Sequence, residues 1–229
     1  MEVERIHFKE IASTHEFAKE REAAFDRKKL TCITADVQCA GRGRYANRQW
    51  VSKKGNLHLT LFLAIDPNPN LAQLLAFSAA QVIGHGVLIK WPNDLLFEGK
   101  KFSGTIADVT SHGVVLSIGV NVNADVETDQ PTTSLKSITN REWDLNELSQ
   151  AITTQFLHNL VGDFPCAQFN ELLTFRGKTV VCAVGAKRIK GVLLGIDKEG
   201  FLRLQTKQGQ VQTLSSGEIS IAEGGSYPE

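Results

Sequence analysis

The sequence has no excess of charge of either sign and no long apolar run. Its 25 basic and 25 acidic side chains balance to a formal net charge of zero. That balance argues against a general nucleic-acid surface, because such surfaces need an excess of basic residues. The longest apolar stretch, around residues 57–65, is interrupted by His58 and Thr60 and is far too short to cross a bilayer.

The sequence also lacks closely spaced cysteine pairs, repeats and low-complexity linkers. The four cysteines, at positions 32, 39, 166 and 182, show no C-x-x-C spacing. This excludes a zinc knuckle and a thioredoxin-type motif and favours reduced thiols. The segment from Met1 to Arg5 does not have the basic-then-apolar order of a signal peptide. We therefore expect a cytoplasmic protein whose parts pack against one another.

The 229 residues suffice for a substantial core, and two regions differ in pattern. Up to about Arg176, strand and helix signals alternate, which indicates the α+β class. Beyond that point, five short strands separated by glycines indicate a small barrel. We predict one domain over residues 1–176 and a second over residues 177–229.

Capping signals and periodicity predict the individual elements. The S-x-x-E spacing of Ser13 and Glu16 opens a helix that we expect to reach about Lys28. Asn70 can cap the next helix and Asp144 a later one. The predicted helices cover residues 14–28, 71–83, 145–160 and 166–175. The predicted strands cover residues 5–11, 30–35, 57–64, 87–90, 101–109, 114–122, 179–183, 187–196, 201–206, 211–214 and 218–221.

A glycine-rich segment, residues 38–44, lies in a strongly cationic stretch. No acidic residue occurs between Asp36 and Asp66, whereas that interval holds five basic ones: Arg42, Arg44, Arg48, Lys53 and Lys54. Glycines let a backbone approach a ligand closely, and guanidinium groups offer planar donor forks that suit carboxylate and phosphate. Neither the G-x-G-x-x-G spacing nor the Gly-Lys-Ser/Thr of a P-loop is present. Alone, the segment predicts an anion site, with a solvated surface turn as the alternative.

Three further motifs follow along the chain. K-W-P-N-D, residues 90–94, ends a short strand at its proline and places an amide and a carboxyl at the strand end. In K-K-F-S-G, residues 100–104, the two lysines lie on opposite faces of a strand, so that one of them can point inward. G-V-N-V-N, residues 119–123, ends an apolar strand with two same-face asparagines. Each motif alone is also compatible with ordinary turns and solvated lysines.

Taken together and in this order, Q-x-x-G-R-G-R, W-x-S-x-x-G-N-L, K-W-P-N-D, K-K-x-x-G and G-V-N-V-N resemble the biotin protein ligases (biotin–[acetyl-CoA-carboxylase] ligases). The resemblance covers nearly the whole chain, from Ser13 and Thr14 to the tail at residues 191–197 and 217–220. It implies a mixed-sheet catalytic domain similar to the class II synthetase and biotin ligase fold, followed by a small SH3-like β-barrel.

The resemblance also implies a two-step reaction. The biotin carboxylate attacks the α-phosphate of ATP to give biotinyl-5′-AMP, and a lysine of a biotin carboxyl carrier domain then takes the biotinyl group. Catalysis would fall to Lys101, Arg42, Arg44 and Asp94. Biotin would contact Ser13, Thr14, His15, Gln38, Gly41, Arg42, Gly43, Arg44, Lys101 and Gly104. ATP would contact Arg44, Arg48, Trp50, Lys90, Asn93, Lys101 and Asn121, with Mg²⁺ carried by the nucleotide and no direct protein ligand assigned.

The sequence departs from the family pattern at three places. Residues 45–49 carry an insertion, His15 stands where asparagine is common, and Ser117 stands where the family often has a glycine. The first family signature already occurs at Ser13, so we expect no winged-helix domain and no DNA binding. The expected partners are biotin, ATP and a carrier domain, with a homodimer left open and no membrane.

Three alternative functions remain open from the sequence. A lipoate or octanoate ligase or transferase shares the catalytic fold, although its loop typically reads R-R-x-S-G-G-G. A module that binds a nucleotide or a carrier without turnover, and a nucleic-acid adaptor built on the small barrel, are the others.

Overall fold

The computed structural model describes residues 1–45 and 48–222. Seven strands form the first sheet: β1 (Val3–Ile11), β2 (Leu30–Gln38), β3 (Leu57–Leu63), β4 (Leu88–Lys90), β5 (Asp94–Phe97), β6 (Lys100–Val109) and β7 (Val114–Val120). Five helices accompany it: α1 (Thr14–Arg21), α2 (Leu71–Ile83), α3 (Leu135–Thr139), α4 (Leu145–Leu160) and α5 (Cys166–Leu172). The remaining strands are β8 (Thr179–Val184), β9 (Lys187–Ile196), β10 (Leu202–Gln205), β11 (Val211–Leu214) and β12 (Glu218–Ile221).

The first sheet is mixed and has the strand order β1-β2-β3-β7-β6-β5-β4. β1 and β2 run parallel, and the other neighbouring strands are antiparallel. Helices cover both faces of its centre, because Leu59, Leu61 and Leu63 pack in the cluster that contains α2, whereas Phe62 packs with Ala18 of α1. β3 is consequently buried along its whole length. The α+β class is confirmed.

Two helices end earlier than their sequence patterns predict. α1 ends at Arg21 and continues only as a 3₁₀ turn, Glu22–Ala24, rather than reaching Lys28. Phe25 then turns extended and its ring lies 5.3 Å from that of Phe62, so tertiary packing overrides helix propensity. α5 ends at Leu172 rather than Phe175, because the backbone of Thr174 donates to the carbonyl of Ile89.

The predicted capping side chains differ in outcome. Ser13 accepts from the backbone of Glu16, as the S-x-x-E spacing predicts. Asn70 precedes α2, but its side chain makes no capping hydrogen bond, so that prediction is wrong. Asp144 caps α4 through Oδ1, which accepts from the backbone of Asn146 at 2.7 Å and of Glu147 at 2.9 Å.

Asp144→Ala should lower the free energy of unfolding by about 1 kcal/mol, since it removes the acceptor for two amides at the start of a 16-residue helix. Urea denaturation measures the loss. The matched control is Glu171→Ala, which removes an exposed acidic side chain from α5 and should change stability by less than about 0.5 kcal/mol. Equal losses in the two variants would contradict the capping role.

The second sheet is antiparallel, with the order β11-β10-β9-β8-β12. Its core residues, including Val180, Leu193 and Leu204, belong to the same hydrophobic cluster as α2. The turn before β10 contacts α2 and the residue that follows β4, because the Gly200 carbonyl accepts from Gln73 Nε2 at 2.9 Å and from Trp91 Nε1 at 3.0 Å. The domain boundary between residues 176 and 177 stays a prediction. Within residues 1–45 and 48–222, no helix combines the length and hydrophobicity needed to cross a lipid bilayer.

Candidate active site

One cavity opens beside the end of the first sheet and is bordered by residues 41–45 and 48–50, which we call the glycine-arginine segment. It collects side chains from α1, β2, β4, β5, β6 and β7 and from the start of β12. The predicted site residues that line it are Ser13, Thr14, His15, Gln38, Arg42, Gly43, Arg44, Arg48, Trp50, Lys90, Asn93, Asp94, Lys101 and Gly104. The structure therefore brings together residues from five separate motifs.

The floor of this cavity is polar and internally hydrogen-bonded. Gln38 Oε1 accepts from the backbone of Thr14 at 2.8 Å and from its hydroxyl at 3.0 Å. The Thr14 hydroxyl in turn lies 2.8 Å from that of Thr60. Because the Gln38 oxygen is occupied in this way, its amide nitrogen is left to donate. The floor thus suits an uncharged polar group that offers both donors and acceptors.

His15 continues the polar floor towards α1 and β6. Its Nδ1 lies 2.7 Å from Ser117 Oγ and its Nε2 lies 3.2 Å from Asp108 Oδ2. Burial lowers the pKa of His15 below its ordinary value, although Asp108 acts to raise it. Burial also acts to raise the pKa of Asp108, but hydrogen bonds from Lys19, at 2.6 Å, and from His15 hold it below its usual value.

The glycine-arginine segment forms a short hairpin over the cavity. The Gly43 amide donates to the Arg48 carbonyl at 2.9 Å, and the Trp50 amide donates to the Gly41 carbonyl at 3.0 Å. A Cβ at Gly41 would lie 2.8 Å from the Trp50 carbonyl oxygen, so this close approach requires glycine. Gly41 itself is buried behind the cavity rather than lining it. Part of the predicted insertion, residues 46 and 47, lies outside the described residues.

Acidic and carbonyl groups hold the three arginines of the segment. Arg42 pairs with Glu16, and that hydrogen bond raises the pKa of the guanidinium. Both terminal nitrogens of Arg48 donate to the Glu218 carboxylate, at 2.9 and 3.2 Å. Arg44 donates to the Gly217 carbonyl at 2.8 Å. Neither Glu16 nor Glu218 was predicted as a site residue, and the signal that the sequence offers for them is that an arginine cluster needs counterions.

Lys101 and Asp94 form an ion pair inside the cavity. Their Nζ and Oδ1 atoms are 2.8 Å apart, on neighbouring strands. Lys100 is exposed and Lys101 is half-buried, so Lys101 is the inward lysine of the pair. Gly104 lies opposite Asp94, and a Cβ there would sit 3.2 Å from Asp94 Oδ1 and 3.3 Å from Lys101 Nζ. A small residue at this position therefore leaves room for the ion pair.

The asparagines at the strand ends have different surroundings. Asn93 lines the cavity and donates to the Thr105 carbonyl. Asn121 lies outside the main cavity but lines an adjoining one with Arg48, Trp50 and Lys101. Its Nδ2 donates to Thr133, while its buried Oδ1 has no partner in the part of the chain that is described. Asn123 bonds the backbone of Trp143 through both side-chain atoms, which makes it an anchor for the loop rather than a site residue.

Two further ring side chains complete the cavity: His58 was not assigned a role from the sequence, whereas Trp50 was expected to contact ATP. His58, on β3, lies 2.7 Å from Ser52 Oγ, and burial lowers its pKa to about 4, so it stays neutral near pH 7. Trp50 packs its ring on the backbone of Gly119, where a Cβ would come within 2.4 Å of the ring. The glycine of G-V-N-V-N is therefore required by a packed indole.

The match with known sequence families agrees with this geometry. Residues 7–125 match the Biotin/lipoate A/B protein ligase family, and residues 177–221 match the Biotin protein ligase C terminal domain. The chain belongs to the biotin/lipoate A/B protein ligase family. The resemblance drawn from the motifs is thereby confirmed, as is an SH3-like C-terminal domain.

Individual members of that family resemble this chain in sequence and in structure. The chain is 28% identical to the bifunctional ligase/repressor BirA of Escherichia coli over 218 residues, which cover 83% of this chain and 65% of that protein. It is 27% identical to the biotin–[acetyl-CoA-carboxylase] ligase of Paracoccus denitrificans, covering 82% of this chain and 88% of that one. The solved structure of the Aquifex aeolicus biotin protein ligase with biotin and ATP superposes with a TM-score of 0.81 at 27% identity, covering 95% of this chain and 97% of that one.

Proposed function

We propose that this protein ligates biotin to a lysine of a biotin carboxyl carrier domain in an ATP-dependent reaction through biotinyl-5′-AMP. One observation supports the proposal: the polar uncharged floor, the arginines of the hairpin and Lys101 all line the same cavity. The ureido ring of biotin matches the floor, because Thr14 and Gln38 offer hydrogen-bond donors and acceptors without net charge. The cationic rim matches the carboxylate and the phosphates.

In the first step an oxygen of the biotin carboxylate bonds to the α-phosphorus of ATP and pyrophosphate leaves. Both reactants are anionic, so positive charge fixed in place should supply much of the rate enhancement. Arg42 and Arg44 would contact the carboxylate and the α-phosphate, and Arg48 would face the triphosphate. Each arginine then exchanges a protein acceptor, such as Glu16 or Glu218, for a ligand anion.

Lys101 would bridge the biotin carboxylate and the α-phosphate. In the ligand-free protein its ammonium group is held by Asp94, which keeps it inside the cavity and oriented. Neutralising both anions with one ammonium group lowers the repulsion that opposes their approach. Asp94, released from part of this pairing, would orient the amine of the carrier lysine in the second step, in which AMP leaves.

We further propose that Mg²⁺ enters with the nucleotide. Asn121 Oδ1, which has no partner among residues 1–45 and 48–222, fits such an ion, since Mg²⁺ prefers oxygen ligands and retains several of its waters. Bound there, the ion would neutralise phosphate charge. Asn93 and Asn121 would hold water or phosphate oxygens in this part of the cavity.

Incubation of the protein with ATP, Mg²⁺, biotin and a carrier domain should yield a streptavidin-reactive carrier, with one AMP and one pyrophosphate per transfer. Replacing biotin by lipoate should give no pyrophosphate above background. Pyrophosphate release with lipoate alone would support the lipoate ligase alternative. Ligand binding without AMP formation would support a module that does not turn over.

We also propose that the protein functions in the cytoplasm and does not bind specific DNA sequences. The four free cysteines suit a reducing compartment, and the equal numbers of basic and acidic residues provide no excess for phosphate contacts. A sequence-selective band shift with genomic fragments and biotinyl-5′-AMP would contradict the second statement. A homodimer is a further proposal that sedimentation at several protein concentrations tests.

A further inference from the structure

A continuous chain of hydrogen bonds crosses the floor of the cavity, and we refer to it as the floor chain. Its members, in order, are Asp108, His15, Ser117, Thr60, Thr14 and Gln38. The contacts are 3.2 Å between Asp108 and His15, 2.7 Å from His15 to Ser117, 2.7 Å from Ser117 to Thr60, 2.8 Å from Thr60 to Thr14 and 3.0 Å from Thr14 to Gln38.

The number of protons in the floor chain depends on the protonation of His15. Each of the five contacts needs one proton, and the three hydroxyl groups supply three. The Gln38 end supplies none, because the same oxygen accepts the Thr14 backbone N–H at 2.8 Å. The Asp108 carboxylate supplies none either. All five contacts are therefore satisfied at once only when both ring nitrogens of His15 carry a proton.

A neutral His15 leaves the floor chain one proton short. Its remaining proton belongs on Nε2, where it faces the Asp108 carboxylate, and Nδ1 then accepts from Ser117. The two remaining hydroxyls supply two protons to the three contacts left between Ser117 and Gln38. Two oxygens thus face each other without a proton, which is unfavourable unless one of the hydroxyls turns away from the other and accepts from a donor elsewhere. Ser117 and Thr14 both line the cavity, so a ligand can supply that donor.

Charges of both signs surround His15. Asp108 of β6 and Glu16 of α1 favour the imidazolium, whereas Lys19 of α1 opposes it. Lys19 lies 2.6 Å from Asp108 and 3.7 Å from Glu16, and Arg42 of the hairpin pairs with Glu16. Burial nevertheless has a larger influence on His15 than any of these groups. Burial lowers the pKa of His15, so the neutral ring predominates near pH 7.

We propose that an N–H of the biotin ureido ring fills the missing donor position beside Ser117, which makes His15 a positioning residue that couples biotin affinity to pH. The inference rests on the proposed function. Acid converts His15 to the imidazolium. The floor chain then has a proton for each of its five contacts, so Ser117 and Thr14 no longer need a donor from the ligand. Affinity should therefore be full when His15 is neutral and should fall as it becomes protonated.

The experiment is calorimetric titration of the full-length protein with biotin at several values between about pH 5 and pH 8. The affinity of the wild type, divided by that of His15→Asn at the same pH, should fall on acidification. The total fall across the titration of His15 should be roughly threefold to tenfold, which is the worth of one hydrogen bond. Taking the ratio removes the titration of the ligand carboxylate, which is common to both proteins.

Two further variants separate this role from a structural one. Ser117→Ala breaks the floor chain next to His15, and we expect roughly threefold to tenfold weaker binding at pH 8 together with a flatter pH profile. His7→Asn is the matched control, because it removes an exposed histidine of β1 that also lies beside a carboxylate, 3.4 Å from Asp36. It should keep the wild-type profile. Thermal unfolding checks that each variant is folded.

A ratio that does not change with pH, or a Ser117→Ala profile as steep as the wild type, would overturn the inference while leaving biotin binding established. If His15→Asn does not fold, the Ser117→Ala profile decides the matter alone. A folded wild type that binds biotin at no pH would instead refute the proposed function.

Discussion

Replacing Lys101 by alanine should lower the rate of pyrophosphate release from ATP and biotin by about 100-fold to 1000-fold. The ammonium group of Lys101 is half-buried and held 2.8 Å from Asp94, so in the proposed reaction it would already lie where the two anions meet. Positive charge that needs no reorganisation during the reaction stabilises the transition state more than the separated reactants. The loss should therefore appear in kcat more than in the KM for biotin.

The matched control for this prediction is Lys100→Ala. Lys100 precedes Lys101 on β6 and carries the same charge, but it is exposed and points away from the cavity. Its removal should leave the rate within about twofold of the wild type. Single-turnover measurement without a carrier domain isolates the first step. Near-normal turnover of a folded Lys101→Ala protein would remove Lys101 from the mechanism.

The positions of many strands could be predicted from the sequence because their signals are local. Alternating or continuous apolar residues between glycine turns placed β9, β11 and β12 with the bounds that the structure shows. Helix α2 was also bounded correctly from its apolar and small residues. The ends of α1 and α5 could not be predicted, since contacts of Phe25 with Phe62 and of Thr174 with Ile89 depend on residues distant in the chain.

The cationic and glycine-rich parts of the site were predictable for a different reason. A run without acidic residues, containing Arg42, Arg44 and Arg48, is visible in the sequence itself. The groups that hold these arginines are not, because Glu218 lies 170 residues from Arg48 and the Gly217 carbonyl 173 residues from Arg44. Likewise, Ser117 and His15 were noticed separately as unusual residues, and only the fold shows that they touch across 102 residues.

The tryptophan of K-W-P-N-D had no explanation in the sequence, and the structure supplies one. Trp91 is 1% exposed and belongs to the main hydrophobic cluster. Its Nε1 donates to the Gly200 carbonyl of the C-terminal sheet's turn at 3.0 Å. The residue therefore fixes the strand end that bears Lys90 and Asn93 to the second sheet. Its role is to connect the side of the cavity lined by Lys90 and Asn93 with the C-terminal part of the chain.

Trp91→Ala should lower the free energy of unfolding by about 3 to 5 kcal/mol, because it removes a large buried side chain and leaves a cavity. It also leaves the Gly200 carbonyl with Gln73 as its remaining described side-chain donor. A loss of this size is a large share of the roughly 5 to 15 kcal/mol that stabilises a typical domain. Urea denaturation followed by far-ultraviolet circular dichroism measures it.

Trp91→Phe separates packing from hydrogen bonding in this loss. Phenylalanine keeps most of the apolar contact but cannot donate to Gly200, so we expect a cost of about 1 to 2 kcal/mol. Trp143→Ala is the matched control, since Trp143 is only half-buried at the start of α4, and its loss of stability should be clearly smaller than that of Trp91→Ala.

Because Trp91 lies between Lys90 and Asn93 in the chain, the Trp91→Ala variant should also bind ATP more weakly at temperatures where it is folded. Unchanged ATP affinity together with the full stability loss would show that Trp91 supports the fold without positioning the nucleotide residues.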